Sequence, residues 1–129
     1  MSGQKQKINL EYILNTSPAI LFNRLSTPSG LSEWFSDDVN VEGHLYTFIW
    51  KGAQQQAHEV ARKENRSIRF RWVDDEDEES YFEFRVEMDE LTGDTALIVV
   101  DFADEGEADD AVDLWNRQIE VLKHVLGSH

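Results

Sequence analysis

The chain has four histidines, the side chains best suited to proton transfer near neutral pH or to zinc binding: His44, His58, His124 and His129. A general base or a zinc ligand needs a partner beside it, and no two of these histidines have the spacing of a His-x-x-x-His or His-Glu-x-x-His motif. The neighbours His58 and Glu59 form an isolated pair in a predicted strand. Enzymatic chemistry in this chain would require His58, Glu59 or Asp101 to point into the interior.

Two acidic segments could in principle attract a hard cation such as calcium. Residues 74–79 read DDEDEE, but an EF-hand alternates its ligands and has glycine at its sixth position, so the run is typical of a solvated hairpin tip. Residues 104–110 precede a predicted helix, whose N-terminus favours negative charge in any case. We therefore expect no metal. The sequence also contains no glycine-rich phosphate loop, Gly-x-Ser-x-Gly motif or dinucleotide fingerprint, so we expect no cofactor.

Size and charge limit the class of protein. The 129 residues fit one domain spanning residues 1–129, and 4 Trp, 7 Phe and 3 Tyr supply enough large apolar side chains to close a core. With 26 acidic and 12 basic residues the formal charge is −14, which disfavours nucleic acids and anionic membranes but leaves a basic protein or a cationic ligand open. The absence of cysteine, of a long apolar segment and of a signal-like start leads us to expect a cytoplasmic protein without membrane insertion.

The alternation of apolar and polar residues predicts about seven strands. Residues 7–15 begin the pattern, with an apolar residue at every second position. Residues 68–72 and 82–88 carry aromatic residues on one face and arginines or glutamates on the other, so we expect an antiparallel pair with Arg–Glu contacts across the strands. Residues 96–100 are apolar on both faces, which predicts a strand that is covered on both sides.

Two short helices are predicted after the first strand. Ser17 and Thr27 stand where N-caps belong, and each is followed by a proline at the first helical position. In the second helix Leu31, Trp34 and Phe35 recur at intervals of three to four residues.

A long helix is predicted at residues 111–126, with Asp109 or Asp110 as its N-cap and Gly127 at its end. Its apolar stripe indicates a helix lying on a sheet. The stripe consists of Ala111, Leu114, Trp115, Ile119, Leu122, Val125 and Leu126.

The element order and two segments, TPSGLSEWFSDDV at 27–39 and LWNRQIEVLKHVL at 114–126, resemble the START-like (SRPBCC) superfamily. Within it, Thr27, Pro28, Leu31 and the Trp34–Phe35 pair look most like the activators of heat-shock ATPase. The resemblance implies an α+β helix-grip fold, in which a curved antiparallel sheet of about seven strands wraps around the long C-terminal helix. It also implies a cavity between sheet and helix, which many relatives use to hold lipids, sterols, polyketides or hormones.

Three functions remain open at this stage. The first is non-catalytic binding of a small hydrophobic molecule in that cavity, the second an acidic protein-interaction or co-chaperone-like regulatory role, and the third a cyclase- or hydratase-type enzyme. Trp34 and Phe35 could form a lid at the cavity mouth or fix the short helices to the sheet. The large apolar residues could line a cavity or simply fill it as a core. The candidates are Leu21, Trp34, Phe35, Phe48, Trp50, Phe70, Trp72, Phe84, Phe102, Trp115, Ile119 and Leu122.

Overall fold

A computed structural model describes residues 5–77 and 79–127, so His129 and Glu78 of the acidic run lie outside the described residues. The elements follow the predicted order of one strand, two short helices, six strands and one long helix. They are β1 (Gln6–Leu14), α1 (Pro18–Ser26), α2 (Pro28–Leu31), β2 (Asp38–Glu42), β3 (Leu45–Trp50), β4 (Ala53–Lys63), β5 (Ser67–Trp72), β6 (Phe82–Met88), β7 (Thr95–Ala103) and α3 (Ala108–Val125). The predicted α+β helix-grip fold is confirmed.

All seven strands join one antiparallel sheet in the order β1-β7-β6-β5-β4-β3-β2. The sheet's inner face packs against the helices, and its outer face carries the ion pairs of Glu83 with Arg69 and Arg85. The predicted pairing of β5 with β6 is confirmed, with Phe70 opposite Phe82 on the inner face and Arg69 opposite Glu83 on the outer face. The guanidinium Nε of Arg69 lies 2.7 Å from Oε1 of Glu83, which is the predicted cross-strand ion pair.

The caps of the short helices are those the sequence predicts. The Oγ of Ser17 accepts a hydrogen bond from the Ile20 N–H at 3.2 Å, and Oγ1 of Thr27 accepts one from the Gly30 N–H at 2.9 Å. However, α2 ends at Leu31, before Trp34 and Phe35. Hydrogen bonds between residues three apart tighten the backbone after Leu31, and this shortens the helix relative to its apolar pattern.

Helix α3 starts earlier and buries a narrower stripe than predicted. Glu107 occupies the N-cap position without a side-chain hydrogen bond, and the predicted caps Asp109 and Asp110 lie in the first turn, where negative charge suits the helix dipole. Its buried residues are Trp115, Ile119 and Leu122. Leu114 was wrongly assigned to this stripe: it is 53% exposed, since it precedes Trp115 by one residue and is rotated about 100° from it.

Strand β7 is covered on both faces, as its apolar pattern predicts. Its inner face joins the main core, and its outer face forms a second cluster of Ala96, Ile98 and Val100 with Tyr81 packed against it. The guanidinium carbon of Arg69 lies 3.9 Å from the centre of the Tyr81 ring. Long side chains of the outer face therefore shield this second cluster from water.

Candidate functional site

The predicted cavity residues mostly meet in one aromatic cluster between the sheet and α3. Phe48, Phe70 and Phe84 point inward from their strands, and Trp115 faces them from the helix. Each of the three phenylalanines is 0% exposed, and the ring centre of Trp115 lies 5.7 Å from that of Phe84. These side chains occupy the space in which the sequence analysis placed either a cavity or a core.

Phe35 stands at the centre of this cluster rather than over its mouth. Its ring centre lies 4.9 Å from that of Phe48 and 5.9 Å from that of Trp115. Its carbonyl oxygen accepts hydrogen bonds from Nε1 of Trp50 at 3.0 Å and from Nε2 of Gln118 at 3.2 Å. Phe35 therefore ties the segment after α2 to both β3 and α3, and its ring fills the interior.

Trp34 fixes the short helices to each other and to the sheet. Its Nε1 donates to the backbone oxygen of Arg24 at 2.8 Å, and its ring lies 5.6 Å from that of Phe84. It is 5% exposed, so its position matches the fixing role rather than a lid. Leu21, Ile119 and Leu122 are likewise fully packed against this core.

Phe102 lies on the other side of the sheet, and its assignment to the cavity was wrong. Neighbouring strand residues point to opposite faces, and Asp101 points inward, where its carboxylate meets Trp115. The ring of Phe102 instead contacts Tyr81 on the outer face, with 5.0 Å between ring centres. Because β7 is apolar on both faces, its composition does not indicate which face Phe102 occupies.

An open groove lies at the end of the sheet where β5 stops and β6 begins. Gln6 pairs with Ala103, so the start of β1 and the end of β7 reach this same end. We call this feature of about 700 Å³ the open-end groove. Its lining residues are Lys5, Gln55, Trp72, Asp74, Asp75, Glu76, Asp77 and Asp104.

Trp72 is the predicted cavity residue that lines this groove. Its ring is half-buried and packs against Phe82 with 4.9 Å between ring centres, which connects the groove to the aromatic cluster. The indole N–H groups of Trp34, Trp50 and Trp115 all donate to protein acceptors. Within residues 5–77 and 79–127, the indole N–H of Trp72 has no such acceptor.

Residues 74–77 of the acidic run line the groove. Both carboxylate oxygens of Asp75 accept hydrogen bonds from Nζ of Lys5, at 3.0 and 3.2 Å, and Oδ1 also accepts one from the Asp77 N–H at 2.9 Å. Hydrogen bonds from the Glu79 N–H and the Ser80 hydroxyl lower the pKa of Asp77. The acidic run was predicted to be a solvated hairpin tip, and Asp74, Glu76 and Glu79 are exposed; the prediction did not include the groove that residues 74–77 line together with Trp72.

Asp101 is a partly buried acid on the inner face of β7. Its Oδ2 accepts a hydrogen bond from Nε1 of Trp115 at 2.8 Å, and Oδ1 accepts one from the Phe102 N–H at 2.8 Å. Burial raises its pKa above 3.8, although the bond from Trp115 opposes the shift. Asp101 therefore loses favourable hydration whenever it is ionised in the folded protein.

The pH dependence of stability in an Asp101→Asn variant tests whether burial destabilises the Asp101 carboxylate. The raised pKa means that the stability Asp101 contributes is fully present below pH 3.8 and is lost as the pH rises through the folded-state pKa. Asparagine keeps an oxygen for Trp115 but carries no charge. We expect the stability of Asp101→Asn relative to the parent to increase from pH 3.5 to pH 7 in urea denaturation. A relative stability that decreases with pH would contradict the burial of a destabilised carboxylate.

A second buried acid lies at the opposite end of the sheet. Oε1 of Glu59 accepts a hydrogen bond from the Tyr46 hydroxyl at 2.8 Å, and Arg62 and His44 lie 4.0 and 3.6 Å from its carboxylate. Burial and this hydrogen bond raise the pKa of Tyr46. Neither Tyr46 nor Arg62 was predicted as a site residue. For Arg62 the reason is a register shift between Glu59 and Ala61, which turns its side chain inward against simple alternation.

These positions bear on the enzyme hypothesis. The hypothesis requires His58, Glu59 or Asp101 to point inward; Glu59 and Asp101 do so, whereas exposed His58 lies opposite Arg71 on the outer face. Each inward carboxylate already accepts a hydrogen bond from a neighbouring ring residue. Across residues 5–77 and 79–127 there is no group of three or more acids or histidines that could hold a metal ion, and no helix long and apolar enough to span a bilayer.

Comparison with known proteins places the fold. A sequence model of the START-like superfamily domain matches residues 1–128. The solution structure of BfR322 from Bacteroides fragilis has 46% sequence identity and a TM-score of 0.68, covering 97% of this chain and 92% of that one. No curated protein sequence matches the chain.

Two further structures share the fold at low sequence identity. The Aha1 dimer from Colwellia psychrerythraea has 18% identity and a TM-score of 0.78, covering 94% of this chain and 96% of that one. Protein MLL2253 from Mesorhizobium loti has 16% identity and a TM-score of 0.77, with coverage of 95% and 97%. The predicted likeness to the heat-shock ATPase activators thus extends to their three-dimensional fold.

Proposed function

This chain belongs to the START-like superfamily, and we propose that it binds a small, largely hydrophobic molecule without covalent chemistry at the open end of the space between sheet and α3. The binding surface is the open-end groove together with the edge of the aromatic cluster behind it. The centre of the cluster is occupied by Phe35, so the ligand rests against Trp72 rather than beneath the middle of α3.

The observation that carries this proposal is that Trp72 lines the groove and that its indole N–H has no acceptor among the described residues. Trp72 is half-buried and lines a groove of about 700 Å³, so its large ring can offer stacking area to an apolar ligand. Its indole N–H, without an acceptor among the described residues, can donate one orienting hydrogen bond. Ligand sites commonly combine an apolar surface with a few such polar groups.

We propose binding without covalent chemistry because of the surroundings of Glu59 and Asp101, the two acids that point inward. A nucleophile or general base must reach the reacting atom of a bound molecule. Glu59 is only 8% exposed at the far end of the sheet, and Asp101 is held by Trp115 and the backbone. The proposed binding function therefore gives neither Glu59 nor Asp101 a catalytic role.

Trp72→Ala tests the proposal directly. We expect the purified protein to bind the neutral fluorophore N-phenyl-1-naphthylamine, and Trp72→Ala to weaken binding at least tenfold, equivalent to about 1.4 kcal/mol. Trp72→Phe, which keeps a ring but removes the N–H, should bind with intermediate affinity. Phe102→Ala is the control, because it removes a ring on the outer face of the same end. Lack of binding by the parent protein, or parent-like affinity in a folded Trp72→Ala protein, would refute the proposal.

A further inference from the structure

One ion pair spans the open-end groove. The ammonium of Lys5 lies 3.0 and 3.2 Å from the two carboxylate oxygens of Asp75, 70 positions along the chain. The side chains are 25% and 12% exposed, so the pair sits within the groove rather than on a fully solvated surface. The ion pair thus lies in the lining of the same groove as Trp72, the residue that we propose contacts the ligand.

The two partners of this pair are held very differently. Asp75 is fixed by its surroundings, because it accepts the Asp77 N–H at 2.9 Å and its own N–H donates to the Trp72 carbonyl at 3.3 Å. Lys5 lies just outside β1, which begins at Gln6, and both hydrogen bonds of its ammonium go to Asp75. Lys5 can therefore swing away without breaking the hydrogen-bond ladder of the sheet, while the carboxylate stays in place.

The charges around the groove favour one class of ligand. Among the described lining residues five are acidic and Lys5 is the single basic one, so the groove attracts cations and repels anions. The Trp72 ring and the Asp75 carboxylate share the lining, which suits a molecule with an aromatic part and an ammonium part. A partly exposed ion pair contributes little to stability, so exchanging Lys5 for another cation costs the fold little.

We propose that Lys5 occupies the position of a ligand's cation, and that the groove takes ring-bearing ammonium compounds in its place. This inference rests on the proposed binding function and adds its selectivity. The ligand's ring lies against Trp72, its ammonium pairs with Asp75, and Lys5 moves out into solvent. Carboxylates and phosphates attached to the same ring are rejected by the surrounding acids.

Three probes with one ring system and different charges test the selectivity. They are 2-naphthylmethylammonium, 2-naphthalenemethanol and 2-naphthoate, measured by calorimetric titration at pH 7 and low ionic strength. We expect the ammonium to bind about tenfold more tightly than the alcohol, and the carboxylate at least tenfold more weakly than the alcohol. Added salt should narrow these differences, because it screens the charges of the groove.

Two substitutions identify the ion pair as the source of the selectivity. Lys5→Gln removes the internal competitor and should tighten binding of the ammonium probe severalfold. Asp75→Asn should lower the affinity for the ammonium probe to that for the alcohol probe. The affinity for the alcohol probe should not change. Lys7→Gln, on an exposed position of β1, makes the same charge change away from the groove and should have no comparable effect.

The outcomes separate this inference from the function on which it rests. If the alcohol binds but the ammonium binds no more tightly, charge selection is refuted while binding at the groove stands. If Lys5→Gln weakens the ammonium probe, Lys5 supports the ligand rather than competing with it, and the exchange is refuted. If none of the three probes binds, the proposed function itself fails.

Discussion

Phe35→Ala is expected to lower the free energy of unfolding by about 3–5 kcal/mol. The Phe35 ring is 4% exposed and lies within ring-contact distance of six others. Its partners are Trp34, Phe48, Trp50, Phe82, Phe84 and Trp115, at centre distances of 4.9–6.1 Å. Six neighbouring rings cannot all move into the vacated space, so a cavity remains and its cost adds to the lost burial.

Urea denaturation monitored by tryptophan fluorescence measures this loss. Leu91→Ala provides the matched control, because Leu91 is 96% exposed and its truncation should change stability by no more than about 0.5 kcal/mol. A loss below about 1.5 kcal/mol for Phe35→Ala would contradict the packing described here. It would mean that the interior adapts readily, as expected for a space that normally holds a ligand.

Gly30→Ala is expected to destabilise the protein by about 1–3 kcal/mol through overpacking. A Cβ at residue 30 would clash with the carbonyl oxygen of Asn23 and would lie 2.7 Å from Cα of Arg24. Both atoms belong to the backbone of α1, so no side-chain rotation can relieve the contact. The two short helices would have to separate, and this would disturb the segment that positions Phe35.

Ser29→Ala is the control for this substitution, since Ser29 is exposed one position earlier in the same short helix. It should leave stability within about 0.5 kcal/mol of the parent. Thermal unfolding of the two variants side by side gives the comparison. Equal stability of Gly30→Ala and the parent would show that α1 and α2 are not in backbone contact.

The fold follows from local features of the sequence because each acts over a few residues. Strand alternation, as in the aromatic face of β6, depends on a period of two and on burial of one face. The N-caps at Ser17 and Thr27 depend on a side-chain oxygen next to the free N–H groups of the first turn. These local patterns predict which helices and strands form and which faces they bury, without knowledge of any long-range contact.

The candidate site depends on long-range contacts, so less of it could be predicted from the sequence. Lys5 and Asp75 meet because the start of β1 pairs with the end of β7. The turn after β5 lies at this same end of the sheet. Phe35 was considered as a lid, but packing against residues from β3, β6 and α3 makes it the centre of the core. Phe102 was assigned to the wrong face, because a strand buried on both sides does not reveal which residues point inward.

The most direct test of the account is to follow the indole N–H resonances of the four tryptophans by ¹H–¹⁵N NMR during titration with 2-naphthalenemethanol. This probe is uncharged, so the result does not depend on charge selection. We expect the Trp72 resonance to shift most, because Trp72 lines the groove and its N–H has no acceptor among the described residues. The Trp34 resonance should stay nearly constant, since its N–H is held by the Arg24 carbonyl within the core. A largest shift at Trp34, or no shift at any of the four with millimolar probe, would contradict ligand binding at the open-end groove.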